Sequence, residues 1–141
     1  MSDRFHDLIR DLELEQGNPI ISSGLRTFEM LFEPDLPVIA SLNDDDSALV
    51  TDVWISDIAD LPPITQEFLL GTILEINYCA GLQNQAVFAL DDALRIVLSR
   101  ADAMDRLMVP SYLEKLSVLL QQAQRLRRLL LILYPQMTVG V

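Results

Sequence analysis

The chain has 141 residues, half of them apolar, and a formal charge of −11. That length suits one domain (1–141) with a real core and is short for two. The charge speaks against nucleic acid or anionic membrane as a partner, since phosphates would be repelled, and no apolar run approaches the ~20 residues that cross a bilayer.

The charge is unevenly placed. Residues 1–60 carry fourteen acids against Arg4, Arg10 and Arg26, whereas residues 61–141 balance seven against seven. An acidic half fits a basic protein partner or plain solubility. The opening Met-Ser-Asp-Arg leads straight into an amphipathic pattern with no secretory signal, and the single cysteine, Cys79, cannot form an internal disulfide. Both point to a reducing cytoplasm.

The first predicted helix runs from Asp3 to Gln16, with Ser2 as its cap. Phe5, Leu8, Ile9 and Leu12 form one apolar stripe, and Gly17 and Pro19 end the helix. The period then changes to two. Phe28, Met30 and Phe32 alternate with Glu29 and Glu33, a strand with one buried face. A turn at Pro34 and Pro37 leads to a second strand, Val38 to Leu42. Asn43-Asp44-Asp45-Asp46-Ser47 is turn chemistry, and Leu49 to Ile58 makes the third strand. In it Leu49, Thr51, Val53 and Ile55 face one way, and Val50, Asp52, Trp54 and Ser56 the other.

After Leu61-Pro62-Pro63 a second helix is predicted over 64–80, with Phe68, Leu69, Ile73 and Ile76 on one face and Gly81 beyond its end. Strands from Gln85 to Leu90 and Leu94 to Ser99 follow, joined through Asp91-Asp92-Ala93. Pro110 opens a final helix whose stripe is Leu113, Leu116, Leu120, Ala123, Leu126, Leu130 and Leu133, with Pro135 past its end. The fold class is α+β in the order αβββαββα, a twisted antiparallel sheet flanked by helices.

Chemistry is hard to find in this pattern. His6 is the one histidine and has no cysteine near it, so it makes a poor metal site. Cys79 reads as a small apolar filler, and a nucleophile pair would have to recruit His6 itself. Asp44-Asp45-Asp46 lacks the alternating acids, the glycine and the terminal glutamate of a calcium loop. The expectation is a protein that is not an enzyme, with no catalytic residue, cofactor or metal.

The remaining signal is surplus apolar surface. The third strand is apolar on both faces, and Leu70 and Leu74 lie beside the stripe of the second helix. Large apolar patches left open mark interaction sites.

This order resembles the class I type III secretion chaperones of the CesT and SycE type, over roughly residues 3 to 134. The resemblance lies in Phe5-His6-Asp7-Leu8-Ile9 opening the first helix and in the three-strand meander. It continues through Phe68-Leu69-Leu70-Gly71-Thr72-Ile73-Leu74-Glu75-Ile76-Asn77, with the apolar-Asn-aromatic ending Ile76-Asn77-Tyr78, and through Ala86 to Asp91 and Leu94 to Leu98. One departure is that Asn43 to Ser47 has no glycine, where the family often carries one in its hairpin tips.

The resemblance implies a homodimer in the bacterial cytoplasm that binds the N-terminal region of a secreted effector in extended form. The secretion ATPase is a further implied partner, and the chain itself has no ATPase activity. By the same resemblance Leu8, Leu12, Phe28, Met30, Val38 and Trp54 would bind the effector, and Ile73, Ile76, Val87 and Phe88 would form the dimer interface. A heterodimeric chaperone subunit or a multi-client export-control protein stays open as the alternative.

Overall fold

The first helix forms because its apolar residues share one side. In the computed structural model, which describes residues 2–16, 20–22, 26–32, 36–80, 86–134 and 138–139, α1 (Ser2–Gln16) buries Phe5, Leu8, Ile9 and Leu12 and exposes the rest of its described side chains. Two-residue β1 (Ile21–Ser22) precedes β2 (Thr27–Phe32), β3 (Leu36–Leu42) and β4 (Ala48–Asp57). Helix α2 (Pro63–Ala80), β5 (Ala86–Leu90), β6 (Arg95–Ala103), a short 3-10 helix (Met104–Arg106), α3 (Val109–Leu133) and β7 (Thr138–Val139) complete the order. The predicted Gly17, Pro19, Glu33, Pro34, Gly81, Gln85 and Pro135 signals lie outside the described residues.

The strands form one antiparallel sheet in the order β1-β2-β3-β4-β6-β5, with β7 paired to β4. Strands β1 and β7 were not predicted, because two residues are too few to show an alternation. Cross-strand partners place Phe28 against Ala40, Met30 against Val38, Val38 against Val53 and Val53 against Leu98. Partners share a face, so one side of the sheet carries these residues with Leu49, Thr51 and Phe88. The other carries Glu29, Ile39, Asp52, Trp54, Val97 and Ala89. The apolar first side joins residues of all three helices in one core.

Two polar contacts lock α3 onto this core. Thr51 and Tyr112 are buried and share a hydrogen bond of 2.7 Å between Oγ1 and Oη, and burial pushes the Tyr112 phenol well above its usual range. Arg127 donates from Nε to the Ile55 carbonyl at 3.1 Å. At the other end Lys115 reaches the buried Asp102 carboxylate, which Arg100 also contacts. Tyr112 thereby sets the rotation of α3. Tyr112, Leu116, Leu119, Ala123, Leu126 and Leu130 are buried, whereas the predicted Leu113 and Leu120 are half-buried and Leu133 is exposed. Tyr112→Phe should cost about 1–3 kcal/mol in denaturant unfolding, because Thr51 Oγ1 is left buried without its partner.

The glycine-free tip from Asn43 to Ser47 closes by side chains instead. Asn43 Oδ1 accepts from the Ala48 amide, Asp45 Oδ1 from the Ser47 amide, and Asp46 takes the left-handed position with φ 61°. Hydrogen bonds from Ser47 hold the Asp45 carboxyl below its usual range. Arg26 pairs with Asp46 across the tip. The acidic run is turn chemistry, as its composition suggested.

Candidate partner-binding surfaces

Of the effector-contact expectations only Trp54 and Leu8, the latter in the wall of a groove, come to the surface. Leu8, Leu12, Phe28, Met30 and Val38 are all buried in the core, Leu12, Phe28 and Val38 with no exposed area at all. Amphipathic elements bury their apolar stripe first, and here the single chain already covers it. Trp54 alone keeps partial exposure, on the outer face of the sheet, with the Arg95 guanidinium 3.5 Å above its ring centroid. Asp91 holds that guanidinium from the neighbouring turn at 3.1 Å.

The dimer expectations fall on α2 and β5, mostly on their inward side. Ile73 is buried, Ile76 and Phe88 are half-buried against the core, and only Val87 is exposed. The outward side of α2 holds Ile64 (65%), Phe68 (64%), Leu74 (67%) and Tyr78 (87% exposed), with Leu70 at its margin. Five large apolar residues on one helix face are costly to leave in water, since each fully buried side chain is worth ~1.5–3 kcal/mol.

Gly71 lies in the middle of that face. Phe68 and Leu74 stand three residues to either side, Glu67 and Glu75 four, and Ile64 and Tyr78 seven. A Cβ built on Gly71 would meet nothing within 4 Å. Glycine inside a helix costs about 1 kcal/mol relative to alanine, and no internal crowding here requires it. Around it Ile64, Glu67, Phe68, Thr72 and Glu75 outline a shallow hollow of about 380 Å³.

A second surface lies between α1 and the start of α3. Arg4 ties α1 to the segment that leads into α3, donating from Nε to the Met104 carbonyl at 2.6 Å and from Nη2 to that of Leu107 at 3.3 Å. The resulting groove, about 440 Å³, is lined by Leu8, Leu14, Met104, Leu107, Met108, Val109 and Pro110. Asp7, Asp11 and Glu15 stand along its α1 wall at helical spacing, and Arg10 pairs with Asp7. Leu14 and Met108 are exposed at its rim.

Three solved structures share this architecture. A chain of the ExsC–ExsE complex superposes with a TM-score of 0.77 at 18% identity, covering 92% of this chain and 96% of that one. A chain of the HopA1–SchA chaperone–effector complex gives 0.69 at 17%, covering 90% and 95%. The third complex is the Yersinia pestis type III secretion chaperone SycH with a stable fragment of YscM2. A chain of it gives 0.62 at 17%, covering 84% and 96%. The fold is that of the type III secretion chaperones. No family model and no curated protein matches the chain.

Within the type III secretion chaperone fold, the outward face of α2 was hidden from sequence reading. That helix is apolar on nearly every side, so periodicity cannot say which side turns inward. The legible signal was the excess itself, Leu70 and Leu74 beside a complete stripe. The groove gave no local signal, because its walls lie about a hundred residues apart in the chain. Among the described residues no group of three or more His, Cys, Asp or Glu side chains could hold a metal ion, and no helix is long and apolar enough to cross a membrane.

Proposed function

We propose that this chain is a type III secretion chaperone that binds the N-terminal region of a secreted effector in extended, non-globular form, keeping it soluble and export-competent in the bacterial cytoplasm. The observation that carries this reading is the pair of open apolar surfaces, the α2 face and the α1–α3 groove, on a fold shared with chaperone–effector complexes. In this reading the whole chain, 1–141, acts as one unit without chemistry of its own, and the secretion ATPase meets the loaded complex.

The two surfaces have different occupants. A second copy covers α2, because its face is arranged nearly symmetrically about Gly71. In an antiparallel pair crossing there, Phe68 of one copy meets Leu74 of the other and Ile64 meets Tyr78, the self-complementarity a two-fold axis demands. Effector side chains enter the groove, where Leu14 and Met108 offer apolar contact. The carboxylates of Asp7, Asp11 and Glu15 favour a segment with flanking Lys or Arg. Burying ~800 Å² of apolar effector surface gains about 20 kcal/mol gross at ~25 cal/mol/Å². Ordering costs ~1–2 kcal/mol per fixed residue, so the hold is selective and reversible.

One observation favours a heterodimeric partner as a second reading. Helix α2 has no basic residue, so two copies would bring Glu67 and Glu75 close to one another. Association that tightens as salt rises identifies the like-charged homodimer, and association that weakens identifies a basic partner.

Co-expression with the product of the neighbouring gene, followed by limited proteolysis, tests the main reading. A short N-terminal effector fragment should remain bound. Retention of a folded effector domain, with the N-terminus digested, would overturn it.

A further inference from the structure

Strand β5 closes one end of the sheet, and the outer side of such a strand is a template for another chain. Here a side chain already occupies it. Asn77, in the last turn of α2, donates from Nδ2 to the Phe88 carbonyl at 2.7 Å, and its Oδ1 accepts from the Phe88 amide at 2.8 Å. One carboxamide thus makes both hydrogen bonds that a residue of an added antiparallel strand would make. The bonds fall on the middle residue of a five-residue strand. They also hold α2 alongside β5.

We propose that Asn77 is a specificity-determining residue that denies the β5 edge to extended chains, so that neither an effector segment nor a second copy can lengthen the sheet at this end. A strand arriving at β5 would have to break both bonds at Phe88 before forming its own, and it would gain little in exchange. At this end of the sheet partners are thereby confined to side-chain contacts with the outward face of α2. This gives a physical role to the Ile76-Asn77-Tyr78 ending, in which Tyr78 faces outward while Asn77 reaches the strand.

The inference uses the chaperone reading only for its consequence to an effector. The closed edge can fail while effector binding holds, and the reverse.

Amide hydrogen exchange tests it without any substitution. Ala86, Phe88 and Leu90 direct their amides to the same outer side, because direction alternates along a strand. The Phe88 amide should exchange at least about tenfold more slowly than those of Ala86 and Leu90, the equivalent of one net hydrogen bond. In Asn77→Ala that difference should vanish. A merely structural role for Asn77 would instead accelerate all three alike. A lysine-flanked peptide carrying the β5 sequence should leave the unsubstituted protein unbound and bind Asn77→Ala, and backbone N-methylation of the peptide should abolish that binding. Equal exchange at the three amides of the unsubstituted protein overturns the proposal, whether or not Asn77→Ala folds. So does a folded Asn77→Ala that keeps the Phe88 difference or ignores the peptide.

Discussion

Leu12→Ala and Phe28→Ala should each lower the free energy of unfolding by about 3–5 kcal/mol, measured by denaturant titration. Both side chains are completely enclosed, and the Phe28 ring lies 5.7 Å from that of Phe5 between α1 and the sheet. Truncating either removes buried apolar area and leaves a cavity that helix and sheet cannot close together. For a domain stable by ~5–15 kcal/mol, that is a large share of the total. Leu14→Ala and Met108→Ala, on the exposed rim of the groove, should change stability by no more than about 0.5 kcal/mol while weakening effector binding. The contrast separates core from contact surface. Loss of effector binding in a Leu12→Ala protein of unchanged stability would return that residue to the client surface and contradict the burial argument.

The second large effect is expected on α2. Phe68→Glu combined with Leu74→Glu should leave the fold intact, because both side chains are mostly exposed within one copy. It should weaken self-association more than about a hundredfold, since two central apolar anchors at ~2 kcal/mol each exceed two tenfold steps. Sedimentation velocity should show two copies for the unsubstituted chain and one for the variant. Gly71→Ala sharpens the test through its sign. In an isolated copy the new methyl meets open space and the helix gains about 1 kcal/mol. In a pair crossing at Gly71 the same methyl obstructs the approach. Gly71→Ala should therefore raise the melting temperature of the dilute single copy and lower the affinity of the pair. A rise in both would show that the helices do not meet there.

Much of this fold was legible from pattern alone. The period of two at Phe28-Met30 and through Leu49-Thr51-Val53-Ile55 gave the buried side of the sheet, and Phe5-Leu8-Ile9-Leu12 gave the inner side of α1. The candidate sites were less legible, for two physical reasons. Apolar residues that look available on paper are the first to be consumed by the core, as Leu8, Leu12, Phe28, Met30 and Val38 were. An all-round apolar helix such as α2 hides its orientation until its polar anchors are known. Those anchors are Asn77, bound to β5, and Gln66, which donates to the carbonyls of Ile58 and Leu61. They turn Ile73 inward and Phe68 outward. Tyr112 does the same for α3 through Thr51. On each helix polar side chains chose among several apolar stripes, and their partners lie outside the helix itself, where its period carries no trace of them.

Residue-resolved amide exchange on the effector while it is held by this chain tests the central claim most directly. Protection should be confined to short stretches near the effector's N-terminus, separated by amides that exchange as in an unfolded chain. Cooperative protection spread over a whole bound effector domain would contradict it.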